Sequence, residues 1–197
     1  MVAGSPGGDS PRPSTRRELF ARAGGGLVAG AALLAAGCGA HSAQLIRKRI
    51  SPGEAALDVV LLNGLLDIEH RAIAAYSNGI PLLAGHNQRA ARNFLGDEFN
   101  HASELISLIV RHGGTPNKAA SSYDFGSPQS EADLLALFAR LEREQIGAYL
   151  TAVPLVTPGP MRATLAAILG SDAQHVALLR KALGEPALLS PFVTAAG

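Results

Sequence analysis

The stretch Glu69-His70-Arg71-Ala72-Ile73-Ala74-Ala75-Tyr76 returns later in the chain as Glu142-Arg143-Glu144-Gln145-Ile146-Gly147-Ala148-Tyr149. A second stretch, Leu95-Gly96-Asp97-Glu98-Phe99-Asn100-His101, returns as Leu169-Gly170-Ser171-Asp172-Ala173-Gln174-His175. The blocks keep their order, with an offset of 73 residues for the first pair and 74 for the second. Two blocks in one order at nearly one offset mark an internal repeat. Within each copy the blocks sit on separate apolar-periodic stretches. The repeated unit is therefore a helical hairpin, and two hairpins make a four-helix bundle.

Turn signals place the helices near 54–79, 86–112, 130–152 and 159–183. The breaks are Asn78-Gly79, Gly113-Gly114-Thr115-Pro116 and Thr157-Pro158-Gly159-Pro160. A long loop, about 113 to 129, joins the second helix to the third. Composition agrees with an all-α fold: aromatics are 5% of the 197 residues and Trp is absent. A net charge of +1 offers no electrostatic case for nucleic acid. The single cysteine excludes an internal disulfide framework and a Cys-rich zinc site.

On a helix, residues 3, 4 and 7 apart share a face. Around Glu69 those positions hold Leu62, Leu65, Leu66, Ala72, Ile73 and Tyr76. Glu98 sits among Ala91, Phe94, Leu95, His101, Ala102 and Leu105. Glu142 sits among Leu135, Phe138, Ala139, Gln145, Ile146 and Tyr149, and Asp172 among Leu165, Ile168, Leu169, His175, Val176 and Leu179. Each acid occupies the middle of an apolar stripe, where a core residue is expected. Unpaired charges there cost several kcal/mol each or are neutralised by shifted pKa values. Few core-facing Lys or Arg are present to pair with them. Metal is the economical answer, with histidines completing the ligand set. In Glu98-x-x-His101 and Asp172-x-x-His175 the i,i+3 spacing puts acid and imidazole on one face. The alternative is a buried network of Glu–His hydrogen bonds without metal.

One Glu from each of two helices, with an acid-x-x-His from each of the others, is the pattern of ferritin-like di-iron and di-manganese carboxylate proteins. The chain resembles the ferritin-like superfamily, and within it the bacterial exported domains related to desiccation-associated proteins. Gly113-Gly114-Thr115-Pro116, Tyr123-Asp124-Phe125, and Leu183-Gly184 followed by Pro191-Phe192 are similar to stretches in such domains. The resemblance covers roughly 54 to 193 and implies a ferritin-like four-helix bundle. By it, Glu69, Glu98, His101, Glu142, Asp172 and His175 would hold two iron or manganese ions. Asp172 departs from the pattern, which has Glu there; one methylene shorter, it would bind one ion without bridging. Tyr76 and Tyr149, two turns beyond their acids, read as core residues with satisfied hydroxyls, or else as supports for the ligands. His70, His86 and His112 read as surface or helix-end residues, and Glu104 and Glu144 as solvated.

Residues 1–38 read as an address. A Gly/Pro/Ser-rich opening without periodicity reads as disordered. Thr15-Arg16-Arg17-Glu18-Leu19-Phe20 resembles a twin-arginine export signal, and the apolar run after it is too short to span a bilayer. The run ends at Leu34-Ala35-Ala36-Gly37-Cys38, which resembles a lipobox and makes Cys38 the lipid-bearing residue; an ordinary cleaved signal is the alternative. Residues 39–53 would be a tether and 54–193 the bundle. The expectation is an exported protein of the cell envelope, held to the membrane by a lipid anchor. Its di-metal centre would belong to redox or oxidative-stress chemistry and, if enzymatic, to an oxidoreductase. A metal-free structural or binding protein of the envelope is the other reading. The first helix is apolar on more than one face, which calls for a homodimer contact, cover from residues 188–193, or simply a wide core face.

Overall fold

The computed structural model describes residues 1, 51–157 and 159–188. The export signal, Cys38, nearly all of the tether and residues 189–193 lie outside the described residues.

Among the described residues four α-helices make up the bundle: α1 Pro52–Gly79, α2 Gly85–Arg111, α3 Glu131–Ala152 and α4 Pro160–Ala182. Each begins and ends within two residues of its expected place. The starts follow from local chemistry. Ser51 accepts a hydrogen bond from the Glu54 backbone N–H at 3.2 Å, and Glu54 accepts one from the Ser51 N–H at 2.9 Å. This reciprocal cap is worth about 0.5–2 kcal/mol, and Pro52 suits the first helical position. Ser130 caps α3 through the Asp133 N–H at 3.1 Å, with Glu131 and Asp133 in its first turn. Among the described residues no helix is long and apolar enough to cross a membrane.

Contacts are densest within the hairpins, α1 on α2 and α3 on α4; α1 also packs against α3, and α2 against α4. Tyr76 reaches Glu142 while Tyr149 reaches Glu69, so α1 and α3 run antiparallel. His175 reaches Asp97 and His101 faces Asp172, so α2 and α4 do too. With these directions, the segment from α2 to α3 must travel the length of the bundle.

It does so along α1. Asn63 donates to the Thr115 carbonyl at 3.1 Å and accepts from the Asn117 N–H at 2.7 Å. The Asn117 amide donates to both Asp67 oxygens, at 3.1 and 2.9 Å. Further along, Ala119–Tyr123 lie over a groove of about 470 Å³ lined also by His70, Ile73 and Asn78. The crossover therefore covers part of the second apolar face of α1. Leu57 and Val60 stay exposed. Asp58, an acid within the apolar run of α1, is buried. It accepts from the Thr157 N–H at 2.9 Å and hydroxyl at 2.6 Å, tying the α3–α4 turn to α1.

The core has two apolar halves. One gathers Leu62, Leu66, Leu105, Ile109 and Leu165; the other gathers Tyr76, Phe94, Leu135, Phe138 and Leu179. The acids lie between them.

Candidate metal centre

All six expected residues are buried, and the four helices bring them together: Glu69 from α1, Glu98 and His101 from α2, Glu142 from α3, Asp172 and His175 from α4. Among the described residues no Lys or Arg is buried with them. Their donor atoms form two groups, each with its atoms within 4.8 Å of one another. One group is Glu69, Glu98 and His101; the other is Glu98, Glu142, Asp172 and His175. Glu98 belongs to both. Asp172 belongs to one, although its Oδ1 also lies 3.5 Å from His101 Nδ1.

Several of these atoms face one another without bonding. His101 Nδ1 is ringed by Asp172 Oδ1, Glu69 Oε2 at 3.8 Å and Glu98 Oε1 at 3.9 Å, and hydrogen-bonds to none of them. Glu98 Oε1 and both Asp172 oxygens are likewise buried without a hydrogen-bond partner. Buried polar atoms left bare are rare and costly. Oxygens and an imidazole nitrogen converging at such spacing fit a divalent ion.

The rest of the cluster is held by hydrogen bonds. The Tyr76 hydroxyl donates to Glu142 and the Tyr149 hydroxyl to Glu69, each tyrosine serving the acid of the other hairpin. Burial, followed by the facing carboxylate, raises both phenols well above their ordinary value, so they are neutral donors. Gln145, fully buried one turn after Glu142, donates from its amide to Glu69 at 3.0 Å and Glu98 at 2.6 Å. His175 turns Nδ1 toward Glu142, at 3.2 and 3.3 Å, and Nε2 toward Asp97 at 3.2 Å.

Crowded acids with no cation keep protons. Burial, then the charges of Glu142 and Glu98, pushes Asp172 up to about 9. Burial likewise raises Glu142 to about 7, and raises Glu69 well above the carboxylate range with help from Glu98. Burial alone would lower His175, but the facing carboxylates of Glu142 and Glu98 carry it up to about 10. For Glu98, burial is outweighed by the His175 imidazole 3.6 Å from its Oε1, by the neighbouring Glu69 carboxyl and by the Gln145 amide, and it is held below its ordinary value. The cluster thus stores protons where a dication would replace them.

Gln145 and Asp97 escape the sequence pattern. Gln145 stands on the α3 stripe but carries no charge, so it reads as filler. Asp97 precedes Glu98 and falls off the stripe, toward α4. Elsewhere, Glu104 pairs with Arg111, and Glu144 with Arg71 and Arg140, on the surface. His86 is exposed, His112 is half-buried 3.7 Å from Asp58, and His70 is half-buried beneath the crossover rather than on open surface.

Comparison with known proteins adds the family. Residues 57–185 match the family described as a ferritin-like domain. No curated protein matches the sequence. A conserved hypothetical protein from Mycobacterium tuberculosis is similar in structure, at 22% identity and a TM-score of 0.63, over 73% of this chain and 100% of that one. So are the ferritin-like, diiron-carboxylate proteins from Bacillus anthracis str. Ames, at 20% identity and a TM-score of 0.57, over 66% and 97%. At such identities the likeness concerns the fold.

Proposed function

The chain belongs to the ferritin-like domain family, and from that premise we propose that it is a carboxylate-bridged di-metal protein. Glu69, Glu98 and His101 would hold one ion, and Glu98, Glu142, Asp172 and His175 the other. The observation that carries this reading is the pair of donor groups sharing Glu98, with bare buried atoms on Glu98, His101 and Asp172. Carboxylates with imidazole suit iron or manganese. Bound as a pair, such ions supply redox chemistry toward dioxygen or peroxide.

The chain's own residues prepare the site for that role. Tyr76 and Tyr149 fix the carboxylates of Glu142 and Glu69 by hydroxyl donation. Asp97 accepts from His175 Nε2–H, which orients the ring and leaves Nδ1 to face the acids. Burial keeps bulk water from the acids.

The Glu142–His175–Asp97 chain and the tyrosine bonds favour a second reading, a metal-free buried network in a structural or binding protein of the envelope. The bare oxygens of Asp172 count against it. The wider proposal is export through the signal around Arg16-Arg17, a lipid anchor at Cys38, and a redox role related to oxidative stress; its support is the sequence pattern alone. A homodimer is also proposed, through the exposed Leu57 and Val60 of α1.

Elemental analysis of the purified full chain, after reconstitution with iron or manganese, tests the central claim. About two ions per chain are expected, with both lost in Glu98→Ala because Glu98 serves both groups. No bound metal after reconstitution would overturn it.

A further inference from the structure

The two donor groups are unequal. One has four protein residues and the other three, because Asp172 joins only the first. A second asymmetry lies beside it. Gln145 follows Glu142 by one turn, and its counterpart in the first hairpin, Ala72, has no polar group. The amide of Gln145 points into the three-residue group, contacting Glu69 and Glu98. Its carbonyl oxygen is buried without any hydrogen-bond donor, on a side chain with 0% exposure.

We infer that the Gln145 amide oxygen is a ligand of the ion held by Glu69, Glu98 and His101. This rests on the metal-centre reading above. A half-turn about the last side-chain bond exchanges the amide nitrogen and oxygen, two atoms that differ little in shape. What lies between Glu69 and Glu98 decides which faces inward. With no cation there, the N–H₂ faces two acceptors and bonds both. With a cation there, the oxygen is the favoured atom.

Spacing and charge both suit the exchange. The inward amide atom stands 3.0 and 2.6 Å from the two carboxylate oxygens. Neighbouring oxygens on one octahedral ion with bonds of about 2.1 Å lie about 3 Å apart. An amide also adds a hard oxygen donor without adding negative charge to a core that already holds four acids. Gln145 thus supplies the oxygen that a longer acid at position 172 would have brought to this ion.

Cobalt(II), whose visible bands report its ligand set, is the probe. The full chain is titrated anaerobically by calorimetry and visible absorption, with circular dichroism as the check on folding. The wild type is expected to take two cobalt ions. Gln145→Leu is expected to keep one affinity and weaken the other by about tenfold or more. Gln145→Glu restores an inward oxygen and is expected to keep both. Two unchanged affinities in Gln145→Leu would overturn the inference while leaving the centre intact. So would loss of the second ion in Gln145→Glu, since that marks the amide as a hydrogen-bond donor only. Should Gln145→Leu not fold, Gln145→Glu decides alone. No cobalt in the wild type would sink the centre and this inference together.

Discussion

At the scale of the residue, what matters is which atoms are left without partners and which are held twice. His175 is held twice, by Glu142 on one nitrogen and Asp97 on the other. A histidine ligand whose far N–H meets a carboxylate has its ring orientation fixed and its basicity raised. His101 has no such partner: Ser171 stands where the repeat would place the equivalent of Asp97. Asp97→Ala should therefore weaken only the four-residue group, by about 10–100-fold in metal affinity. The Asp97 side chain is 48% exposed, so its loss leaves the core packing alone. Metal titration beside a thermal melt separates the two effects. An unchanged affinity, or two affinities weakened equally, would show that Asp97 does not act through His175.

At the scale of the element, the helices were legible because each acid sits at the centre of a stripe with a 3.6-residue period, bounded by turn residues and, at α1 and α3, by serine caps. The six acids and histidines came with them, since a stripe fixes which side chains share a face. The path of the crossover was not legible. It depends on Asn63 and Asp67, whose partners on the crossover are remote in sequence, and on Gly113 and Gly114 at the end of α2. Gly113 adopts φ +78°, where a side chain is strained. Gly114 has another constraint: a Cβ there would meet Val59 at 2.5 and 2.7 Å and Ile109 at 3.0 Å. Val59 is β-branched and has little rotamer freedom on a helix. Gly114→Ala should cost about 1–3 kcal/mol from overpacking, more than the roughly 0.4–1 kcal/mol regained from a stiffer unfolded chain. Chemical denaturation checks this, with Val59→Ala as the relieving change. Single costs that simply add in the double variant would mean that the two side chains do not clash.

At the scale of the whole molecule, a core with four acids makes stability depend on pH, and metal should reverse that dependence. Asp172 titrates at about 9 in the fold against 3.8 ordinarily, and Glu142 at about 7 against 4.5, burial being the first cause for each. Above the ordinary values the unfolded chain releases these protons while the fold retains them. The fold therefore loses stability as pH climbs toward 7 for Glu142 and 9 for Asp172. His175 adds to the loss. Its protonated form, paired with Glu142, stabilises the fold fully below 6.5, and that contribution fades as pH climbs to about 10. His101 and Glu98 are lowered, so their opposing contributions are complete by about pH 6.5. Between pH 6.5 and 9 every shift in the centre that still acts pushes one way, and the melting temperature of the chelator-treated protein should fall across that window. Asp172→Asn removes one titrating group and should flatten the fall. Ions bind the deprotonated ligands, so the metal-loaded protein gains affinity as protons leave and should hold its melting temperature as pH rises. Paired melts at several pH values, with and without chelator, measure both curves. A flat chelated curve would show that the buried acids are not protonated as described. Parallel decline of the two curves would show that metal does not take the place of those protons.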